Sequence, residues 1–154
     1  CIPGTVHGSL MQRPRRPSTL HEHQDIALAL HPTAAYTQVD AVTSEQSGME
    51  AVAELAARGQ SYDAIFAASD LIAIGAMKAL HERGLRVPTD VAIAGFDDIP
   101  MAGFVNPSLS TVQQDTKLAG QVLVESLLQL INGEAVESRT LPVKLALRRS
   151  SGAS

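Results

Sequence analysis

In the stretches Asp63-Ala64-Ile65-Phe66-Ala67-Ala68-Ser69-Asp70 and Val91-Ala92-Ile93-Ala94-Gly95-Phe96-Asp97-Asp98, a short uncharged apolar run ends abruptly in polar residues. Runs this short, with no polar alternation, read as strands covered on both faces, as in a parallel sheet. The interval between them has helical spacing. Ser69 can cap a helix with Asp70 in its first turn, where the macrodipole favours an anion. Ile72, Ala76, Ala79 and Leu80 make one stripe along it, and Arg83-Gly84 closes it. Strand, helix, strand at this spacing predicts a βαβ unit and an α/β fold.

Outward from this unit the pattern repeats. Thr43-Ser44-Glu45-Gln46 matches a capping box with Thr43 as N-cap, and its helix stops at Arg58-Gly59. After Asp97-Asp98 comes a loop with Pro100, Gly103 and Pro107. Asp115 or Thr116 then opens a long helix that Asn132-Gly133 ends, and Leu141 to Leu147 forms a last strand. The polar Ser150 to Ser154 segment reads as a frayed tail. Toward the start, Ile2-Pro3-Gly4 reads as the stub of a strand, Pro17 to Leu30 as a thinly striped helix and Ala34 to Val39 as a strand. A start at Cys1 instead of Met points to trimming.

Composition narrows the function classes. The 154 residues are 45% hydrophobic and 18% charged, too apolar for disorder, and with 3% aromatics the core must be Ala, Leu, Ile and Val. A net charge of −4 argues against a free-standing nucleic-acid binder. The single Cys1 excludes an internal disulfide framework and a cysteine-rich zinc site. No apolar run approaches the roughly 18 residues of a membrane span. These features predict a soluble, cytoplasmic domain.

Ligands of open parallel sheets bind outside the carboxyl ends of the strands. If the two strands are neighbours, Ser69 and Asp97 share one crevice, where a hydroxyl and a carboxylate suit a polyhydroxylated or amide-rich ligand. The same residues also have a structural account, in which Ser69 only caps a helix and Asp98 only begins a turn. Adjacent carboxylates at Asp97-Asp98 repel and need a compensating reason. They lack a further carboxylate or His at metal-ligand spacing. His21-x-His23 points to two faces of a helix. Arg13, Arg15 and Arg16 form a small basic cluster, from which one guanidinium could grip hydroxyls or an anion. With no GxGxxG, Walker-type loop or GxSxG elbow, nucleotide and hydrolase chemistry has no support.

Taken together, Ala64 to Ala76, Gly84-Leu85-Arg86-Val87-Pro88-x-Asp90-Val91, Gly95-Phe96-Asp97-Asp98-Ile99-Pro100 and Pro107-x-Leu109-x-Thr111-Val112-x-Gln114 resemble the lactose-repressor/galactose-repressor (LacI/GalR) family of transcription regulators. The likeness runs from Thr43 to Arg149. It implies a periplasmic-binding-protein-like lobe built on a parallel sheet, the C-terminal half of a two-lobed effector domain. Residues 1–114 would form the effector-binding lobe, 115–133 the crossover helix of a missing N-terminal lobe, 134–149 the returning strand and 150–154 a disordered tail. By the same likeness Asp97 hydrogen-bonds the effector and Ser69 stands where an asparagine commonly does so. Arg16 matches an effector-gripping arginine, and Thr43 takes a position that often holds an aromatic ring. Gln114 falls at the interlobe hinge. Leu71, Ile74 and Met77, with Met101, Phe104 and Val105, would line a dimer interface.

The resemblance implies a non-catalytic, sugar-type effector sensor with no cofactor and no metal. It would form a homodimer and reach DNA only through an absent helix-turn-helix. Two other readings start from the same residues. A solute-binding protein of a sugar-uptake system shares the fold, and an enzyme could use Asp97 or Asp98 as a general base or metal ligand, which would need a second catalytic group that the sequence does not offer.

Overall fold

The computed structural model describes residues 9–11, 36–59 and 61–153. The stub at Ile2-Pro3-Gly4, the helix expected over Pro17 to Leu30, the two histidines and the arginine cluster with Arg16 lie outside them. Within the expected strand Ala34 to Val39, β2 (Tyr36–Gln38) pairs antiparallel with β1 (Ser9–Met11). The main sheet has the order β3-β4-β5-β6. Its members are β3 (Ala64–Phe66), β4 (Ala92–Phe96), β5 (Ser110–Gln114) and β6 (Val143–Ala146). β3, β4 and β5 are parallel, and β6 closes the edge antiparallel to β5. The α/β lobe read from the two apolar runs is the observed fold.

Local chemistry sets the helix ends. The first helix, α1 (Glu45–Ala57), takes Ser44 as its N-cap, one residue later than the expected Thr43. The reason is a serine pair. Ser44 Oγ accepts from Ser47 N at 3.1 Å, while Ser47 Oγ accepts from Val42 N at 2.9 Å. Ser47 thus reaches back past the cap to Val42, while the Gln46 amide donates to Glu50 at 2.9 Å and does not close a capping box. Helix α2 (Asp70–Glu82) is capped by Ser69, as its sequence predicts. Gly84 ends α2 with φ +75°, a conformation glycine adopts without a Cβ penalty.

α1 and α2 cross with their backbones almost touching. A Cβ at Gly75 would lie 1.8 Å from the carbonyl oxygen of Glu45, and one at Gly48 would lie 2.1 Å from that of Ile72. Only glycine permits this approach. It brings Val52 and Leu55 of α1 into one core with Ile72 and Leu80 of α2, Ile93 of β4 and Leu109. Each such buried aliphatic side chain contributes roughly 1.5–3 kcal/mol.

Two expectations about the chain's end are corrected. The last strand is shorter than Leu141 to Leu147, and the tail does not fray at Ser150. That residue is wholly buried: its hydroxyl donates to Ile93 O at 2.6 Å and accepts from Ser110 N at 2.8 Å. Composition reads Ser150 as a solvated tail residue, whereas here its hydroxyl satisfies two buried backbone groups.

Helix α3 (Thr116–Ile131) is different in kind. Asp115 caps it by accepting from Leu118 N at 2.9 Å, yet none of its residues is buried. Leu123 is 72% exposed and Ile131 70%, and Val143 and Leu145 of β6 are exposed too. Its broad apolar face has no cover among the described residues.

Candidate functional site

The carboxyl ends of β3 and β4 meet around a buried carboxylate. Asp70, the first residue of α2, has no solvent exposure. Its Oδ1 accepts from the Thr111 hydroxyl at 2.6 Å and its Oδ2 from the Ile99 amide at 2.9 Å. β4 passes so close that a Cβ on Gly95 would lie 2.2 Å from Asp70 Oδ1. A buried carboxylate survives when its lone pairs are filled, and here β5 and the loop after β4 fill them.

That arrangement fixes the turn after β4. Asp97 and Asp98 have φ of +112° and +54°, and non-glycine residues held there cost of order 1–3 kcal/mol each. Three successive amides hold them. Asp97 N donates to Val112 O at 2.9 Å, Asp98 N to the Thr111 hydroxyl oxygen at 3.3 Å and Ile99 N to Asp70. Both lone-pair sides of Asp98 are also engaged. Arg148 Nη2 donates to its Oδ1 at 2.7 Å, and Gln113 Nε2 donates to its Oδ2 at 3.0 Å. Repulsion between the adjacent carboxylates is thereby offset by a guanidinium on one of them.

Asp97 is left on the surface. Its Oδ1 accepts from Gln114 Nε2 at 2.9 Å, and its second oxygen has no partner among the described residues. Gln114 is itself exposed and is the last residue of β5, directly before the cap of α3. The structure therefore joins two sequence-predicted residues, Asp97 and Gln114, in one contact. Ser69 lies next to the site but is 2% exposed, with its hydroxyl oxygen accepting from Ile72 N at 3.3 Å. Thr43 is exposed, just ahead of α1. Asp70, Thr111, Gln113 and Arg148 were not among the expected site residues. Their partners lie 15 to 50 positions away, beyond the reach of local patterns. Among the described residues no three His, Cys, Asp or Glu side chains are placed to hold a metal ion, and no helix is long and apolar enough to cross a membrane.

Of the six residues expected to line a dimer interface, five are at least partly exposed. Phe104 is 84% exposed and Met101 55%, while Val105, Leu71 and Ile74 are half-buried. Met77 is corrected: it is buried in the chain's own core, because its turn of α2 faces inward.

This geometry has counterparts. The profile of the periplasmic binding protein-like domain matches residues 5–151. The regulator CelR of Thermobifida fusca is 42% identical over 101 residues, 66% of this chain and 28% of that protein. The lactose operon repressor of Escherichia coli K12 is 38% identical over 109 residues, 70% of this chain and 30% of that protein. A sugar-binding transcriptional regulator of the LacI family from Escherichia coli, solved with phosphate, superimposes with a TM-score of 0.68 at 37% identity, covering 82% of this chain and 46% of that one. The chain is a periplasmic-binding-protein-like domain. Within that class it belongs to the LacI family of transcription regulators. It spans about a third or less of these two curated relatives.

Burial raises the Asp70 carboxyl above the ordinary carboxylate range, the bonds from Thr111 and Ile99 oppose that rise, and the Asp97 and Asp98 charges add to it. A raised folded-state pKa means the folded chain holds this proton more tightly than the unfolded one. The contribution is therefore full below the unfolded carboxylate pKa of about 4 and lost as pH rises through the folded value. Urea denaturation across this range should show wild type losing stability relative to Asp70→Asn as pH rises. A gap between the two that stays constant with pH would refute the assignment.

Proposed function

We propose that this chain is the effector-sensing and dimerisation lobe of a DNA-binding transcription regulator, controlled by a sugar or related polyol. The supporting observation is Asp97, presented at the carboxyl end of β4 in a costly backbone conformation, with one oxygen on Gln114 and the other without a partner among the described residues. A carboxylate accepts from sugar hydroxyls and an amide both donates and accepts. A ligand taking Asp97 would compete with Gln114 at the junction where the chain leaves for α3. Occupancy would thus bias the relation of this lobe to a second one. The names of relatives favour this class: they include lactose and ribose operon repressors.

No bond is made or broken in this account. Asp98 is ion-paired with Arg148, Asp97 is hydrogen-bonded to the Gln114 amide, and the neighbouring Asp70 carboxyl is sealed from solvent, so the described residues form no accessible acid–base pair here. The solute-carrier reading has the same fold in its favour, but the curated relatives above are regulators. A regulator acts where the DNA is, so the protein works in the cytoplasm. Reading the operator falls to a helix-turn-helix outside these residues. Leu71, Ile74, Met101, Phe104 and Val105 would form the contact between two copies, since a side chain such as Phe104 gains roughly 1.5–3 kcal/mol on burial.

In the full-length protein that carries this chain, Asp97→Ala should abolish operator release by neutral sugars, lactose and D-ribose among them. Its melting temperature should stay within about 3 °C of wild type, since a surface change shifts stability little. Release that persists undiminished in the variant would exclude Asp97 as the effector contact. For the assembly, sedimentation at tens of micromolar should give a dimer, and Phe104→Glu should shift it to monomer. A wild-type monomer would remove the dimerisation half of the proposal.

A further inference from the structure

Arg148 makes more contacts than an edge residue needs. Its Nη1 donates to Leu109 O at 2.8 Å and its Nη2 to Asp98 Oδ1 at 2.7 Å. Its own backbone is clamped as well, with Arg148 N donating to Ser110 Oγ at 2.7 Å and Arg148 O accepting from the same hydroxyl at 2.8 Å. The guanidinium is therefore held at its base by β5 and at one corner by the carbonyl preceding β5. Its remaining corner is aimed at the second residue of the strained turn. The ion pair is mostly shielded, with side-chain exposures of 27% for Arg148 and 13% for Asp98. A partly buried, charge-assisted bond in a rigid fork constrains geometry more than a surface pair does.

The turn needs such a constraint. Two consecutive aspartates at positive φ persist only where their surroundings over-determine them. Relaxation of Asp98 toward negative φ would rotate the peptide joining it to Asp97 and redirect the Asp97 carboxylate. We propose that Arg148 is a positioning residue for the ligand site: through Asp98 it holds the 97–98 turn so that Asp97 faces the effector. The inference rests on the reading of Asp97 as the effector contact. It also ties the segment after β6 to that contact, because Arg148 lies two residues beyond the end of β6.

The test has two arms in the full-length protein, each using Arg148→Met and Arg148→Lys beside Asp97→Ala. In the first, hydrogen-exchange mass spectrometry follows peptides covering 96–100 and 108–112. Arg148→Met should speed exchange in 96–100 at least tenfold, with partial recovery in Arg148→Lys, which keeps the charge but not the fork. Faster exchange confined to 108–112 and the segment after β6 would mean that Arg148 only pins the chain's end, and would overturn the proposal. In the second, lactose and D-ribose are titrated by calorimetry. Arg148→Met should weaken whichever sugar Asp97→Ala weakens, by tenfold or more. A looser turn with sugar affinity unchanged in Arg148→Met but lost in Asp97→Ala refutes positioning and leaves the Asp97 reading standing. Affinity unchanged in both, or no binding of either sugar to wild type, counts against the sugar reading, while the exchange arm still decides whether Arg148 holds the turn. Should Arg148→Met fail to fold, Asp98→Asn removes the charge from the same clamp and should loosen 96–100 in the same direction.

Discussion

The carboxylate of Asp70, fully buried and filled by a hydroxyl from β5 and an amide from the loop after β4, is the constraint around which the site is organised. It lies where three elements have to agree. α2 must begin at Ser69 for Asp70 to point across the strand ends. β4 must carry glycine at position 95, because any Cβ would meet the carboxylate. β5 must be in register so that Thr111 faces Asp70, which the pairing of Gly95 with Thr111 provides. Removing one partner of a buried polar group costs about 1–3 kcal/mol, more for a charge, so disagreement at any of these positions is penalised.

From this constraint the turn at Asp97-Asp98 follows. Ile99 is held by Asp70, Asp98 by Thr111 and Arg148, and Asp97 by Val112. The strain is therefore distributed over bonds that come from α2, β5 and the segment after β6. The product is an exposed Asp97 carboxylate at the strand end, beside the point where the chain enters α3. The other half of the molecule's logic is the uncovered face of α3 and β6, whose leucines and valines gain nothing from water. The strand ends are tightly held, while the apolar face of α3 and β6 has no cover among the described residues.

Much of this was legible in the residues themselves. The runs Ala64 to Ala68 and Val91 to Phe96 carry their strand character in unbroken apolarity. Ser69, Asp115 and the glycines after Arg58, Arg83 and Asn132 mark helix ends by local chemistry alone. Asp97 stood out because paired carboxylates at a strand end demand compensation. Less legible was everything decided by distant partners. Asp70 reads as a solvated first-turn anion until Thr111, 41 positions later, is folded against it. Arg148 reads as the end of a returning strand and Ser150 as the start of a polar tail, and only β5 gives them their partners. Thr43 gave way to Ser44 as cap because Ser44 Oγ meets the Ser47 amide while the Ser47 hydroxyl ties back to Val42, a choice between two adjacent hydroxyls that propensity does not separate. Met77 shares the spacing of the half-buried Leu71 and Ile74 on α2, yet it packs into the chain's own core.

The central claim is that the Asp70–Thr111 contact is an energetic keystone and not a by-product of packing. A double-mutant cycle with Asp70→Ala, Thr111→Val and the pair, followed by urea denaturation near neutral pH, measures it directly. Hydrogen bonds to a buried charge contribute roughly 1.5–3 kcal/mol, and the cycle should return a coupling energy in that range. Single-variant losses that simply add, to within about 0.5 kcal/mol, would contradict the account.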